Sequence, residues 1–211
     1  MSHNGSHMAA ATVAIAYHSG FGHTAVLAEA VAAGAAEAGA DVTVVAVDAM
    51  TDEAWDVLDG ADAIVFGSAT YMGNVSAAFQ SFAEKTGRRC VDGTWSDKVA
   101  AGFTNSGARS GDKLNTLTSL AVFAAQHRMH WVSLGLPPGH NSSFGSEDDL
   151  NRLGFFLGAG AQTDVDAPRD GVHPSDVATC RHLGHRVAST ARQLKLGRAV
   201  SSPEASSAPA R

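Results

Sequence analysis

Hydroxyl-bearing and small residues are concentrated in three short segments of the sequence. The first, Ser19 to Thr24, follows the apolar run 12–17 and contains Gly20 and Gly22. Glycines let the backbone turn tightly, and a helix that begins here directs unpaired N–H groups into the turn. Such N–H groups and hydroxyls suit a phosphate monoester. The segment has neither Gly-x-Gly-x-x-Gly nor a Walker lysine, so it indicates a different phosphate loop or an ordinary tight turn.

Thr24 stands where the helix after this turn is expected to begin. A threonine hydroxyl at the N-cap accepts a hydrogen bond from a backbone N–H of the first helical turn. Gly39 follows an alanine-rich, helix-periodic stretch and stands where a C-terminal cap belongs. We therefore predict a helix over 24–38, with Thr24 as its N-terminal cap.

The other two segments are 67–74 and 104–111, and each also follows an apolar run. In the second segment, Tyr71 or Met72 can pack on the face of a flat heteroaromatic ring, whose polar edge the neighbouring backbone groups reach. In the third, Arg109 is a candidate counter-charge. Each segment alone is also typical of a connection rich in turn formers. All three together favour a single binding site.

Hydrophobic periodicity indicates the elements that must position these segments. Strands are predicted at 12–17, 41–47, 61–67, 98–103 and 130–134, and helices at 24–38, 53–58, 75–85, 112–126 and 174–196. The passage 135–147 is predicted as a loop, after which the chain rejoins the sheet near 154–157. This alternation predicts an α/β fold with a doubly wound, five-stranded parallel sheet and helices on both faces. Ligands of such sheets bind at the carboxyl ends of the strands, where the three segments lie.

Composition excludes several classes of function. The 211 residues are 45% apolar, with 17% charged residues and a formal net charge of −6. No cluster of basic and aromatic residues indicates a nucleic-acid surface. No apolar run approaches the roughly 20 residues of a membrane span, and no secretory leader precedes the domain, so we expect a cytoplasmic protein without a membrane partner. The two cysteines show no metal-binding spacing, and no metal is expected.

The folded domain is expected to lie between two terminal segments that do not belong to it. Residues 1–8 are expected to be a cloning leader. The folded domain is expected to span 9–196. Residues 197–211 are rich in serine, alanine and proline and are expected to form a disordered tail.

The three segments resemble those of the flavodoxin-like NAD(P)H:quinone oxidoreductases of the WrbA type. The resemblance covers roughly residues 12–196 and extends to Phe82-x-x-Lys85-Thr86-Gly87 and to the His-Pro-Ser sequence at 173–175. It implies a flavodoxin-like fold, FMN as cofactor, NAD(P)H as electron donor and a quinone-like acceptor. The same resemblance implies a homo-oligomer.

The resemblance, together with the residue types above, assigns most residues of the three segments to FMN. The predicted cofactor-binding residues are Ser19, Phe21, Gly22, His23, Thr24, Ala69, Thr70, Tyr71, Met72, Gly73, Asn74, Thr104, Asn105, Ser106, Gly107, Arg109 and Gly111. The catalytic candidate is His127, which matches a family histidine expected to reach the site from a neighbouring subunit. A histidine at a helix C-terminus is also favoured there by the helix dipole without any function.

Departures from the family pattern keep other functions open. The connection 48–61 is short where the family has an insertion that contributes to its tetramer, so both a homodimer and a homotetramer are possible. The family's aromatic lid is Cys90 here, and Phe21 stands where a tyrosine is found. The alternatives to an enzyme are a flavodoxin-like electron-transfer protein without small-molecule turnover and an FMN-free scaffold or binding module.

Overall fold

A computed structural model describes residues 10–201, so the expected leader and residues 202–211 of the expected tail lie outside the described residues. The strands are β1 (Thr12–His18), β2 (Asp41–Ala46), β3 (Ala63–Tyr71), β4 (Asn74–Val75), β5 (Val99–Ser106), β6 (His130–Trp131) and β7 (Ala159–Gln162). The helices are α1 (His23–Glu37), α2 (Asp52–Gly60), α3 (Ala77–Lys85), α4 (Gly87–Asp92), α5 (Lys113–Gln126) and α6 (Pro174–Ser201), with a short 3₁₀ turn at Val47–Ala49.

The sheet has the predicted doubly wound topology. Its strands run in the order β2, β1, β3, β5, β6, and all of these neighbours pair in parallel. The short strand β4 is the exception, because it folds back on the end of β3 as an antiparallel hairpin. The predicted α/β fold with helices on both faces is therefore confirmed.

The fifth strand position is occupied by two segments instead of one. β6 pairs with the first residues of β5, where Val99 lies opposite His130. β7 pairs with the last residues of β5, where Ser106 lies opposite Gln162. The chain leaves the sheet between them, as predicted, but rejoins it at Ala159 and not near 154–157. The run Ala-Gly-Ala-Gln of β7 is too small and too short to produce a clear hydrophobic signal.

The two faces of the sheet bury different kinds of side chain. On one face, Val13 and Ile15 of β1 pack with aliphatic residues of α1 and α6. On the other face, Ala14 and Ala16 lie in a cluster that is rich in aromatic rings. The aromatic members of that cluster are Phe66, Phe79, Phe82, Trp95 and the partly buried Phe123. Both faces of β1 are thus buried, which explains its nearly continuous apolar sequence.

α1 and α6 approach each other closely because each has a glycine at the crossing. A Cβ added to Gly34 would overlap the carbonyl oxygen of Arg181, and one added to Gly184 would overlap that of Val31. Only glycine fits at these two positions without separating the helices. This contact secures α1, whose N-terminus faces the candidate site.

α6 extends beyond the predicted end of the domain. It continues through Ser201, so the expectation that disorder begins at residue 197 is wrong for 197–201. Within residues 10–201, no helix combines the length and the hydrophobicity that a membrane crossing requires.

Candidate functional site

A cavity of about 310 Å³ opens at the carboxyl ends of β1, β3 and β5. The predicted residues that line it are Ser19, Phe21, His23, Thr24, Ala69, Thr70, Tyr71, Asn105, Ser106 and Gly107. All three segments contribute to this list. The structure therefore brings them together at the edge of the sheet where the topology rule placed them.

The first segment forms a turn that leaves donors free at the start of α1. Gly22 is the N-cap, with φ of +90°, and no side chain caps the helix. The prediction that Thr24 is the cap is wrong, because Thr24 already lies inside the helix and its buried side chain lines the cavity. The first N–H groups of an α-helix have no intrahelical acceptor and carry partial positive charge. The end of α1 is therefore open to an anion.

Ser19 gives the clearest sign that this turn receives a ligand. Its Oγ is buried and has no hydrogen-bond partner, and the same is true of Nδ1 of the neighbouring His18. Buried polar atoms are paired in most proteins, because an unpaired one costs about 1–3 kcal/mol. An unpaired hydroxyl in the wall of a cavity, beside a free helix N-terminus, fits the phosphate of FMN.

The side chain of His23 links the first segment to a distant loop. Its Nε2 lies 3.0 Å from the carbonyl oxygen of Ala167 and 3.2 Å from that of Pro168. Both partners are acceptors, so Nε2 carries the proton and donates. The ring therefore joins the first segment to the loop after β7, and Arg169 of that loop forms an ion pair with Glu29 of α1.

The second segment supplies an aromatic wall. The rings of Tyr71 and Phe21 meet edge to face, with centroids 6.4 Å apart. Met72, at the tip of the hairpin, is fully exposed and does not line the cavity. Gly73 and Asn74 also lie outside the lining. The Gly73 carbonyl accepts from Asn115 Nδ2 at 2.7 Å, and Asn74 Oδ1 accepts from Ser119 Oγ at 2.8 Å. These three residues shape the hairpin and not the cavity wall.

Buried hydroxyls support the floor of the cavity. Thr70 Oγ1 lies 2.8 Å from Thr104 Oγ1 and donates to Thr116 Oγ1, also at 2.8 Å. Thr104 is completely buried beneath the lining, so the structure gives it a supporting position. Asn105 Oδ1 accepts from the hydroxyl of Thr163 at 3.1 Å. These bonds fix the orientation of two of the polar lining residues, Thr70 and Asn105.

Arg109 does not face the cavity. Its guanidinium is 65% exposed and pairs with Glu147, 2.7 Å away. Hydrogen bonds from Arg152 and then from Arg109 lower the pKa of Glu147 to about 2, so this carboxylate neutralises Arg109 at neutral pH. Gly111, which is also outside the lining, belongs to the turn that leads into α5. The structure does not support Arg109 as a counter-charge in the cavity.

His127 is at the opposite end of the sheet. It follows α5 and precedes β6, so it lies near the amino ends of the strands, and its side chain is only 2% exposed. Its ring packs 4.5 Å from that of Trp95, and its Nε2 lies 2.8 Å from Thr86 Oγ1. Burial, together with the charge of Arg128, lowers its pKa to about 4, so the ring is neutral at pH 7. His127 therefore does not reach the cavity of its own chain, and a part in a neighbouring subunit's site stays a prediction.

Sequence reasoning missed four residues at the site. Gly20, Thr163 and Val165 line the cavity, and the last two follow β7. Placing β7 at its observed position would have identified them, since every other lining segment also follows a strand of this sheet. Lys113 is completely buried behind the third segment, and its Nζ donates to Ser106 Oγ at 2.8 Å. No sequence signal distinguishes it from a surface lysine of an amphipathic helix.

This chain is similar to a known family of proteins and to several of its members. A family model described as a flavodoxin domain matches residues 14–156. Flavodoxin FldP from Pseudomonas aeruginosa (strain UCBPP-PA14) is 40% identical over 183 residues, which cover 85% of this chain and 96% of that protein. A protein from Archaeoglobus fulgidus named NAD(P)H dehydrogenase (quinone) is 32% identical over 206 residues, which cover 87% of this chain and 99% of the relative.

A solved structure agrees with these relatives. It is described as a flavodoxin, WrbA-like protein from Agrobacterium tumefaciens, and it is 38% identical to this chain with a TM-score of 0.69. The match covers 87% of this chain and 98% of that one. The similarity inferred from the three sequence segments is thereby confirmed.

Proposed function

Because the chain belongs to the flavodoxin family, we propose that it binds FMN in the cavity at the carboxyl ends of the strands and passes electrons from NAD(P)H to a quinone-like acceptor. One observation carries the proposal. The buried, unpartnered hydroxyl of Ser19 lies beside the uncapped N-terminus of α1, in a cavity lined by all three predicted segments. When bound, FMN supplies the hydride-accepting and electron-donating chemistry, and the protein supplies binding and orientation.

The phosphate-binding role belongs to the first segment. Ser19 Oγ and the N–H groups of His23 and Thr24 are the donors that would hold the phosphate, together with the Thr24 hydroxyl. The sequence offers no lysine or arginine among the lining residues. Recognition of the phosphate would therefore rest on neutral donors and the partial charge of the helix.

The ring-binding role belongs to the second and third segments. Tyr71 and Phe21 offer flat apolar surface, and Thr70 and Asn105 are held by the hydroxyl contacts beneath them. Ser106 and Gly107 also line the cavity. Side chains fixed in this way orient a ligand without being reorganised when it binds.

The remaining parts of the proposal concern the acceptor and the assembly. Relatives named NAD(P)H dehydrogenase (quinone) support NAD(P)H as donor and a quinone as acceptor. Phe21 and Val165 leave apolar surface exposed beside the cavity, which favours a homodimer or homotetramer with the site near an interface. We also propose a cytoplasmic location and a single domain over 9–196 with the helical extension to Ser201.

A second candidate is an electron carrier without small-molecule turnover. It is favoured by the 40% identity to a protein named as a flavodoxin. A carrier needs FMN but not a place for NAD(P)H or a quinone beside it. The two candidates therefore share the cofactor and differ in turnover.

The test is reconstitution with FMN followed by measurement of NADH and NADPH oxidation with benzoquinone, in air and without oxygen. Rapid oxidation that depends on both FMN and quinone supports the enzyme. FMN binding with negligible oxidation of either nucleotide supports the carrier. Absence of protein-bound flavin absorbance after FMN addition and gel filtration would overturn both in favour of an FMN-free module.

A further inference from the structure

Lys113 is a buried cation next to the wall of the cavity. Its side chain is 0% exposed, and its Nζ donates to Ser106 Oγ at 2.8 Å and to the carbonyl oxygen of Ala108 at 2.6 Å. Within residues 10–201, no carboxylate oxygen lies within the 4.0 Å that defines an ion pair with this amine. A buried charge without an ionic partner is costly, so its retention calls for a reason.

Burial and two charged groups act on the pKa of Lys113. Burial lowers its pKa to about 8, and Asp176 and Arg152 then act in opposite directions. Those two groups pair with each other, with Arg152 Nη2 2.7 Å from Asp176 Oδ2. With a pKa of about 8, the amine is mostly protonated at pH 7. The region behind the cavity wall therefore carries a positive charge. The groups that offset it are the Phe155 ring, whose centroid lies 5.9 Å from Nζ, and the Asp176 carboxylate, which is itself paired with Arg152.

Lys98 is a partly buried lysine that can be compared with Lys113. Its Nζ also donates to two carbonyl oxygens, those of Asp59 and Ala61, at 2.6 and 2.5 Å. Burial lowers its pKa too, but Asp59 and Asp62 both oppose this shift with negative charge. Lys98 precedes β5 and Lys113 follows it, so the two amines sit at opposite ends of one strand. Two carboxylates act on the Lys98 amine, whereas the amine beside the cavity has one, that of Asp176, which is itself paired with Arg152.

Lys113 also helps to fix the direction of the third segment. The carbonyl of Ser106 accepts from Thr163 N at 3.2 Å, that of Gly107 from Gln162 Nε2 at 3.0 Å, and that of Ala108 from Lys113. In a planar trans peptide the N–H points opposite to the carbonyl. The next N–H groups, those of Gly107, Ala108 and Arg109, therefore point away from these donors. None of the three has an acceptor in the described part of the chain.

We propose that Lys113 is a positioning residue for the flavin ring, and that its charge makes the site bind reduced FMN more strongly, relative to oxidised FMN, than it would without that charge. The inference rests on the proposed function, since it assumes that the cavity takes FMN. Two electrons and one proton convert the neutral ring to a reduced ring with one negative charge, and dithionite can supply the electrons in the test. A fixed positive charge and free N–H donors stabilise negative charge that appears in front of them.

The experiment compares Lys113→Met with wild type, with Lys113→Arg and with the matched control Lys98→Met. The dissociation constant of oxidised FMN comes from quenching of its fluorescence, and the potential of bound against free FMN gives the ratio for the reduced form. We expect Lys113→Met to lower the preference for reduced FMN about tenfold, a typical effect of one charge on another several ångströms away. For a two-electron couple this corresponds to a potential about 30 mV more negative.

The other variants separate charge from packing. Lys113→Arg should keep the wild-type potential, because it keeps the charge. Lys98→Met should change the free energy of unfolding and leave the potential unaltered. If Lys113→Met fails to fold by circular dichroism, Lys113→Gln replaces it, because glutamine can still donate to the Ala108 carbonyl without a charge.

The outcomes distinguish this inference from the proposed function. Equal potentials for wild type and a folded Lys113→Met or Lys113→Gln would overturn the inference while FMN binding stands. A potential change of the same size in Lys98→Met would also overturn it, because the effect would then not depend on position. A wild-type protein that binds no FMN overturns both.

Discussion

The two ends of the central sheet differ in whether their polar groups have partners. At the amino end, the Asp62 carboxylate accepts from Thr12 N at 2.8 Å and from Lys195 Nζ at 2.8 Å. Nearby, Asp59 accepts from Arg89 Nε at 2.8 Å and from Trp95 Nε1 at 2.7 Å. These charges are neutralised within the chain.

At the carboxyl end, comparable groups are left without partners. Ser19 Oγ and His18 Nδ1 are buried and unpaired, α1 begins without a side-chain cap, and Lys113 has no carboxylate within ion-pair distance in the described residues. Groups of this kind reduce the free energy of unfolding unless a ligand pairs with them. The difference between the two ends supports the carboxyl end as the candidate ligand site.

The largest expected effect comes from placing a negative charge at the carboxyl end. Ser19→Asp combined with Thr24→Ala sets a carboxylate against the phosphate and removes a hydroxyl donor. Loss of a hydrogen bond to a charged group costs about 1.5–3 kcal/mol, so with the added repulsion FMN affinity should fall at least about 100-fold. Because Thr24 is not the cap of α1, removing its hydroxyl should leave the start of the helix intact.

The matched control for this double variant is Ser96→Asp, which adds the same charge before β5, at the amino end. Fluorescence titration with FMN measures both proteins. Equal affinity in the double variant and wild type would show that the first segment is not the phosphate site.

A second prediction concerns the exception at the amino end, His127, whose Nδ1 is buried without a partner. Its pKa is about 4 in the folded chain, mainly through burial, against about 6.5 when unfolded. The unfolded chain therefore binds the extra proton between these values, and stability is lost as pH falls from about 6.5 to 4. Each pKa unit corresponds to 1.36 kcal/mol, so the loss approaches about 3 kcal/mol.

His127→Phe keeps an aromatic ring beside Trp95 and cannot titrate. Urea unfolding of both proteins should show the variant gaining about 2 kcal/mol on wild type between pH 7 and pH 4.5. Measurements from pH 7 to pH 9, where the imidazole is neutral in both states, provide the baseline and should show a constant difference. Turnover with NAD(P)H should be unchanged. A large loss of turnover in a stable variant would show that His127 acts in a site.

The smallest expected effect is that of Arg109→Gln. Arg109 lies at the carboxyl end of the sheet but is exposed and paired with Glu147. Like the charges at the amino end, it is neutralised within the chain. Exposed ion pairs contribute about 0–1 kcal/mol. FMN affinity should therefore change less than about threefold, and a tenfold loss in fluorescence titration would show that Arg109 leaves Glu147 to meet the ligand.

Local patterns in the sequence were sufficient for the elements and for most of the cavity wall. Apolar runs with small residues after them predicted β1, β3 and β5 and the segments that follow them, because burial on both faces requires such runs. The parallel topology then placed the three segments at one edge, as observed. The residues that line the cavity are mostly those that the sequence selected.

The differences from the sequence predictions have separate physical causes. Thr24 was mistaken for a cap because the left-handed conformation of Gly22, which starts α1 earlier, leaves no periodic signal. His127 was assigned by resemblance, and in its own chain it lies between a helix and the next parallel strand, at the amino end of the sheet. β7 was misplaced because its four small residues depend on β5 for their strand conformation.

By itself, the sequence determined the α/β architecture, the order of its elements and the edge of the sheet where the cavity lies, since these follow from periodicity and from the handedness of crossovers. Only the tertiary structure decided which polar groups at that edge remain unpaired. Ser19 Oγ is left without a partner and Arg109 is neutralised because of groups brought near them, or kept away, by the fold. Lys113 is buried for the same reason, since the fold, and not its sequence neighbours, sets its exposure.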